Sequence, residues 1–112
     1  MRVIDHVAII VDDLQEAEAW YTDALDAAVT HREDTYIRLK VANTHIALID
    51  SSHGASTPHI GVLCCELEEL PDDGVRVEHR DGTTGVYKKD PWGNTVEYIH
   101  YAEQCKEKFL DV

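Results

Sequence analysis

The feature that most limits what this chain can fold into is a repeat inside it. Asp5-His6-Val7-Ala8-Ile9 is answered 53 residues later by Pro58-His59-Ile60-Gly61-Val62. Tyr36 is answered by Tyr87 after 51 residues, and His45-Ile46-Ala47-Leu48-Ile49 by Thr95-Val96-Glu97-Tyr98-Ile99 after 50. The offset shrinks along the chain, as it should if loops shorten in the second copy. A period of this length marks one supersecondary unit used twice, each copy burying an apolar face that it cannot bury alone.

The elements of the unit can be read in order. Val3 to Val11 is rich in β-branched residues and predicts a strand. Asp13-Leu14-Gln15-Glu16 carries the Asp-x-x-Glu arrangement of a capping box. The helix it starts has an apolar stripe of Leu14, Ala17, Trp20, Tyr21, Ala24 and Leu25. It is expected to stop near Asp26, without the usual C-cap glycine. Strands follow at 29–32, 35–41 and 44–50, the last two joined by a tight turn at Asn43. Ser51 to Pro58 is the one linker-like stretch. The second copy then restarts with a strand at 59–64, a short helical turn at 66–70, a loop at 71–74 and a strand at 75–80. It closes on a hairpin turned by Asp90-Pro91-Trp92-Gly93-Asn94. Residues 102–112 form a charged tail, read as a short helix. The fold class is α+β: two β-α-β-β-β repeats, 1–50 and 59–101, pairing into a curved, half-closed mixed β-barrel around a cleft, in one domain of 112 residues.

Charge narrows the partners. With 22 acidic against 10 basic residues the net charge is −12. Nucleic acid and anionic membrane would be repelled. Such a surface suits a very soluble protein, one at home in a high-salt cytoplasm. No apolar run approaches the ~20 residues of a membrane span, and no signal peptide precedes the first strand, so the expected location is cytoplasmic. Cys64, Cys65 and Cys105 are odd in number and two are adjacent. They predict no disulfide framework, and Cys64 and Cys65 are read as buried, inert thiols.

One acid stands out. Glu97 lies within an apolar strand between Val96, Tyr98 and Ile99, and a buried unpaired carboxylate is costly. Alternation puts Thr95, Glu97 and Ile99 on one face, as it does His6, Ala8 and Ile10, and His59, Gly61 and Leu63. If these faces line the cleft, two imidazoles and a carboxylate converge, the set that holds a divalent ion with open positions for substrate. A lone histidine at a strand start is ordinarily just a satisfied polar residue, and the separation is too long for a local metal motif. What sets His6 and His59 apart is that the duplication relates them.

Asp5-His6-Val7-Ala8-Ile9, Asp13-Leu14 and Ala19-Trp20-Tyr21-Thr22-Asp23-Ala24-Leu25 resemble the amino-terminal signature of the vicinal oxygen chelate superfamily. Asp90-Pro91-Trp92-Gly93-Asn94-Thr95-Val96-Glu97 resembles its carboxy-terminal motif. The group spans glyoxalase I, fosfomycin-resistance thiol transferases, extradiol dioxygenases, methylmalonyl-CoA epimerases and bleomycin-binding proteins. The resemblance is specific for fold but not for reaction. It implies that His6, His59 and Glu97 are the metal ligands. The fourth ligand of glyoxalase I would fall at Ala47, which cannot bind metal. That departs from glyoxalase I and the epimerases, and the three-ligand set is closer to the fosfomycin-resistance enzymes. Their phosphonate-binding groups, however, are poorly matched around Asp81 to Gly85.

The implied function is a metal-dependent enzyme acting on a small oxygen-chelating substrate through Mn, Fe, Ni or Zn, as a lyase, isomerase, dioxygenase or thiol transferase. His45 shares strand parity with Ala47 and is either a general base, a displaced fourth ligand or a rim residue. Tyr87 resembles a substrate-contacting tyrosine of the superfamily. Tyr36, Arg38 and Lys89 are candidates for an anionic substrate, the alternative being a solvated strand face. His31, His53, His79 and His100 are assigned to the surface, and Trp20 and Tyr21 to the core. The resemblance also implies a homodimer. The rival function is a metal-free binder that sequesters a small molecule, like the bleomycin-resistance proteins.

Overall fold

The computed structural model describes residues 3–52, 57–79 and 82–101. Cys105, His53 and the expected tail helix lie outside them. The strands are β1 (Val3–Val11), β2 (Ala28–Glu33), β3 (Tyr36–Val41), β4 (Thr44–Asp50), β5 (His59–Leu63), β6 (Val75–Glu78), β7 (Thr84–Lys89) and β8 (Thr95–His100), with one helix, α1 (Leu14–Leu25). The hydrogen-bonded order is β2-β3-β4-β1-β5-β8-β7-β6. Both parallel and antiparallel pairs occur among these strands. Both copies show the predicted order of elements. Among the described residues, no helix is long and apolar enough to cross a membrane.

The chain divides into two compact units: His6–Pro58, and the residues from His59 onward together with the start of β1 through Asp5. In the first, β1 runs parallel to β4, and β4 and β2 run antiparallel to β3. One face of these strands buries Ile37, Leu39 and Leu48 against Ile9, Val11, Leu14, Ala17 and Tyr21. That core is why α1 forms here, since its stripe has somewhere to go. The Asp13 carboxylate accepts from the Glu16 amide at 3.0 Å, capping the first turn. At the other end Asp26 itself takes the left-handed conformation, φ 52°, that a glycine would have supplied. Trp20 departs from expectation: it is 62% exposed while Tyr21 packs on the core. The stripe is narrower than a count of apolar residues suggests, because only one flank of the helix meets the sheet. At the β3–β4 turn Ala42, not Asn43, has positive φ.

In the second unit β5 runs parallel to β8, and β7 pairs antiparallel with both β8 and β6. Cys64, Leu70 and Val86 form its core with Tyr98 packed against them. A 3-10 turn, Leu67–Glu69, stands where the first copy has α1. Cys64 is the buried thiol expected. Cys65 is disulfide-bonded, against expectation. Three cysteines leave one bridge open, and spacing alone does not reveal which thiols approach.

The β7–β8 turn is organised by Asp90. Its carboxylate accepts from the amides of Trp92 and Asn94, both at 2.8 Å, and from Asn94 Nδ2 at 2.9 Å. Gly93 alone of the turn residues has positive φ, 90°. The turn fixes the register that sets Glu97 opposite Tyr87.

Candidate metal centre

Register turns the repeat into matched rows. In the first unit Lys40, His45 and His6 stand abreast across β3, β4 and β1, then Arg38, Ala47 and Ala8, then Tyr36, Ile49 and Ile10. In the second the same rows read Lys89, Thr95 and His59, then Tyr87, Glu97 and Gly61, then Gly85, Ile99 and Leu63. His6 thus corresponds to His59 and Ala47 to Glu97, as the sequence predicts. The tyrosines do not correspond. Tyr87 is matched by Arg38 and Tyr36 by Gly85, because the offset on this strand is 49 rather than 51.

Glu97 occupies the middle of its row and is 2% exposed. Three side chains of its own unit surround it. His59 Nε2 lies 3.3 Å from Oε1, and His79 Nε2 lies 2.8 Å from Oε2. The Tyr87 phenol is the third, near enough to feel the charge of the same carboxylate. Burial first, then the negative charge of Glu97, push the Tyr87 phenol well above its ordinary range. Tyr87 also meets the His59 ring edge-on, with centroids 5.5 Å apart. An ionised carboxylate only accepts, so Nε2 of His79 carries its proton toward Glu97.

His6, which is 5% exposed, completes a cluster. One ligand atom from each of His6, His59 and Glu97 lies within 4.8 Å of the others. Donors on one ion at about 2.1 Å stand roughly 3–3.4 Å apart, so the His59–Glu97 pair is already at ligand spacing and the set needs to contract by about an ångström. Two neutral imidazoles and one carboxylate suit a first-row divalent ion and leave it a net charge of about +1. The donor set fits a metal.

The remaining predicted residues fall in three places. Tyr87 is in the constellation. His45 is half-buried in the row of His6 but is not among the clustered ligands. Arg38 sits opposite Ala47 with Nη1 donating to the Tyr36 hydroxyl at 3.5 Å, and Tyr36 packs on Ala8, Ala47 and Ile49. Lys89 donates to Thr95 Oγ1 at 2.7 Å, in the row of His59.

His79 corrects its assignment to the surface. It follows the last residue of β6, and its amide donates to Thr83 O at 2.8 Å, closing a turn that brings its ring inward. Nothing in its neighbours signals this, but Gly85 does. A glycine inside a strand marks a close approach. A Cβ there would overlap Glu97 Oε2 and come within 2.9 Å of His79 Nε2.

A family model described as the Glyoxalase/Bleomycin resistance protein/Dioxygenase superfamily matches residues 3–98. No curated protein matches the chain. Several solved structures share its fold. A hypothetical protein from Bacillus halodurans C-125 aligns at 16% identity with TM-score 0.69, covering 93% of this chain and 97% of that one. A superfamily member from Vibrio splendidus 12B01 aligns at 9% identity and TM-score 0.67, over 90% and 100%. Methylmalonyl-CoA epimerase from Mycobacterium tuberculosis aligns at 20% identity and TM-score 0.65, over 93% and 91%. At these identities the likeness is one of fold.

Proposed function

The chain belongs to the glyoxalase/bleomycin resistance protein/dioxygenase superfamily, and on that premise we propose that it is a metal-dependent enzyme acting on a small oxygen-chelating substrate. One divalent ion, of Mn, Fe, Ni or Zn, is held by His6, His59 and Glu97. The observation that carries this reading is the approach of those three donors to within 4.8 Å, two of them almost fully buried. A buried carboxylate facing two imidazoles is expensive to maintain without a cation to share. When bound, the metal supplies Lewis-acid polarisation of a bidentate oxygen ligand.

The chain's own residues orient that ligand. Tyr87 stays protonated and presents a donor beside Glu97. Arg38 and Lys89, with Tyr36, meet an anionic group on the substrate. His45, in the row of His6, accepts or returns a proton there. Ala47 contributes no fourth donor, which would leave a bound ion free to take two oxygens of the substrate. The protein acts as a homodimer, in which the exposed apolar side chains of Trp20, Ile60 and Trp92 find cover.

Elemental analysis of protein purified without added metal, followed by titration with Mn, Fe, Ni and Zn, tests the reading. Micromolar or tighter binding, lost in His59→Ala, is expected. No binding, together with an inert His59→Ala, would identify a metal-free sequestering protein instead.

A further inference from the structure

His79 has no counterpart in the ligand set, yet it is bonded to one member of it. Its Nε2 donates to Oε2 of Glu97 at 2.8 Å, while Oε1 of the same carboxylate faces His59 at 3.3 Å. The two oxygens therefore have different neighbours: one is held by the proton of His79, the other looks toward the donors of the cluster. The ring is placed by backbone, since the amide of His79 bonds Thr83 O at 2.8 Å and the amide of Gly82 bonds His79 O at 3.1 Å. It is placed by absence as well. Gly85 sits beside the pair, and any side chain there would collide with Glu97 Oε2 and crowd His79 Nε2. A donor, a fixed turn and a missing side chain all converge on one oxygen.

We propose that His79 is a positioning residue that makes Glu97 a one-oxygen ligand. Resting on the metal-centre reading above, the inference adds how the carboxylate is used. With Oε2 engaged, Glu97 offers the ion Oε1 alone, and the coordination position a second oxygen would take stays open for substrate. Glu97 without His79 turns about its terminal torsion, which is broad for a carboxylate, and chelates through both oxygens. His79 does not itself touch the metal in this arrangement; its orienting bond is of the kind that tunes a ligand from outside.

The test loads the full chain with cobalt(II), whose visible absorption weakens as coordination number rises, and follows affinity and spectrum together. His79→Ala is expected to lower cobalt(II) affinity about ten- to a hundredfold, as loss of an orienting partner does, and to weaken the visible band. His79→Gln, whose amide can still donate to Oε2, is expected to restore both toward wild type. The His79 side chain is 29% exposed, so truncation opens no core; far-UV dichroism verifies that each variant is folded. Unchanged affinity and spectrum in His79→Ala would overturn the inference while leaving the metal centre standing. So would a His79→Gln variant as impaired as His79→Ala, which would make the imidazole a ligand in its own right. A wild-type chain that binds no cobalt(II) would overturn the metal-centre reading and the inference with it.

Discussion

At the scale of single residues, the site was legible where chemistry is rare and illegible where it is common. Glu97 announced itself because a carboxylate inside an apolar strand needs an explanation, and His6 and His59 because the duplication related them. His79 was one histidine among several, between Glu78 and Arg80 in sequence, and only the turn at Thr83 directs its ring to Glu97. Gly85 was the available clue, for a strand interior seldom spends a position on a missing side chain. Gly85→Ala is accordingly expected to act beyond its size. The new methyl overlaps Glu97 Oε2, so either the carboxylate or the strand must move. Thermal unfolding should register a loss of roughly 1–3 kcal/mol, the range for an overpacked buried site, and metal titration of the same variant should show weaker binding. A variant as stable and as tight as wild type would mean the strand yields at no cost.

At the scale of elements, strands and turns were readable because their signals are local, whereas facing and register were not. Alternation located each strand to within a residue or two, but the pairing of Arg38 with Ala47 and of Tyr87 with Glu97 depends on where each hairpin turns. Identity in sequence matched Tyr36 to Tyr87, and geometry does not. Trp20 shows the same limit in a helix: a stripe can be seen, but not how much of it the sheet covers. The β7–β8 hairpin permits a pH prediction. Hydrogen bonds from Asn94, and then from the turn amides, hold the Asp90 carboxyl below its ordinary range. A depressed carboxyl stabilises the folded state above its unfolded pKa, near 4, and that contribution disappears as pH falls through the lower folded value. Amide exchange at Trp92 and Asn94 should therefore lose protection on acidification from about pH 4 downward. Asp90→Ala should lack that step and show weak protection at neutral pH as well.

At the scale of the whole molecule, charge dominates. A net charge of −12 on 112 residues repels itself at low ionic strength. Monovalent salt screens it, the Debye length falling from about 30 Å at 0.01 M to about 3 Å at 1 M. Stability should rise over that range by about 1 kcal/mol, seen as a midpoint several degrees higher. If the protein self-associates through its apolar side chains, sedimentation across the same salts should show the dimer strengthening in parallel. Equal stability at both ends, with a monomer throughout, would separate the charge from any role in folding or assembly.

The rows described for the two units carry a further consequence. Over the rows that β1 shares with β5, β3 with β7 and β4 with β8, the offset between equivalent residues is constant along each pair and differs only from pair to pair. Within those shared rows no residue is inserted or lost, whereas β2 carries an irregularity between Val29 and His31. For an engineer this makes the rows interchangeable parts. A residue on β4 can be carried to its row on β8, and one on β3 to its row on β7 except at Gly85, where Glu97 and His79 leave no room for a side chain, so each half offers a set of candidate side chains for the other.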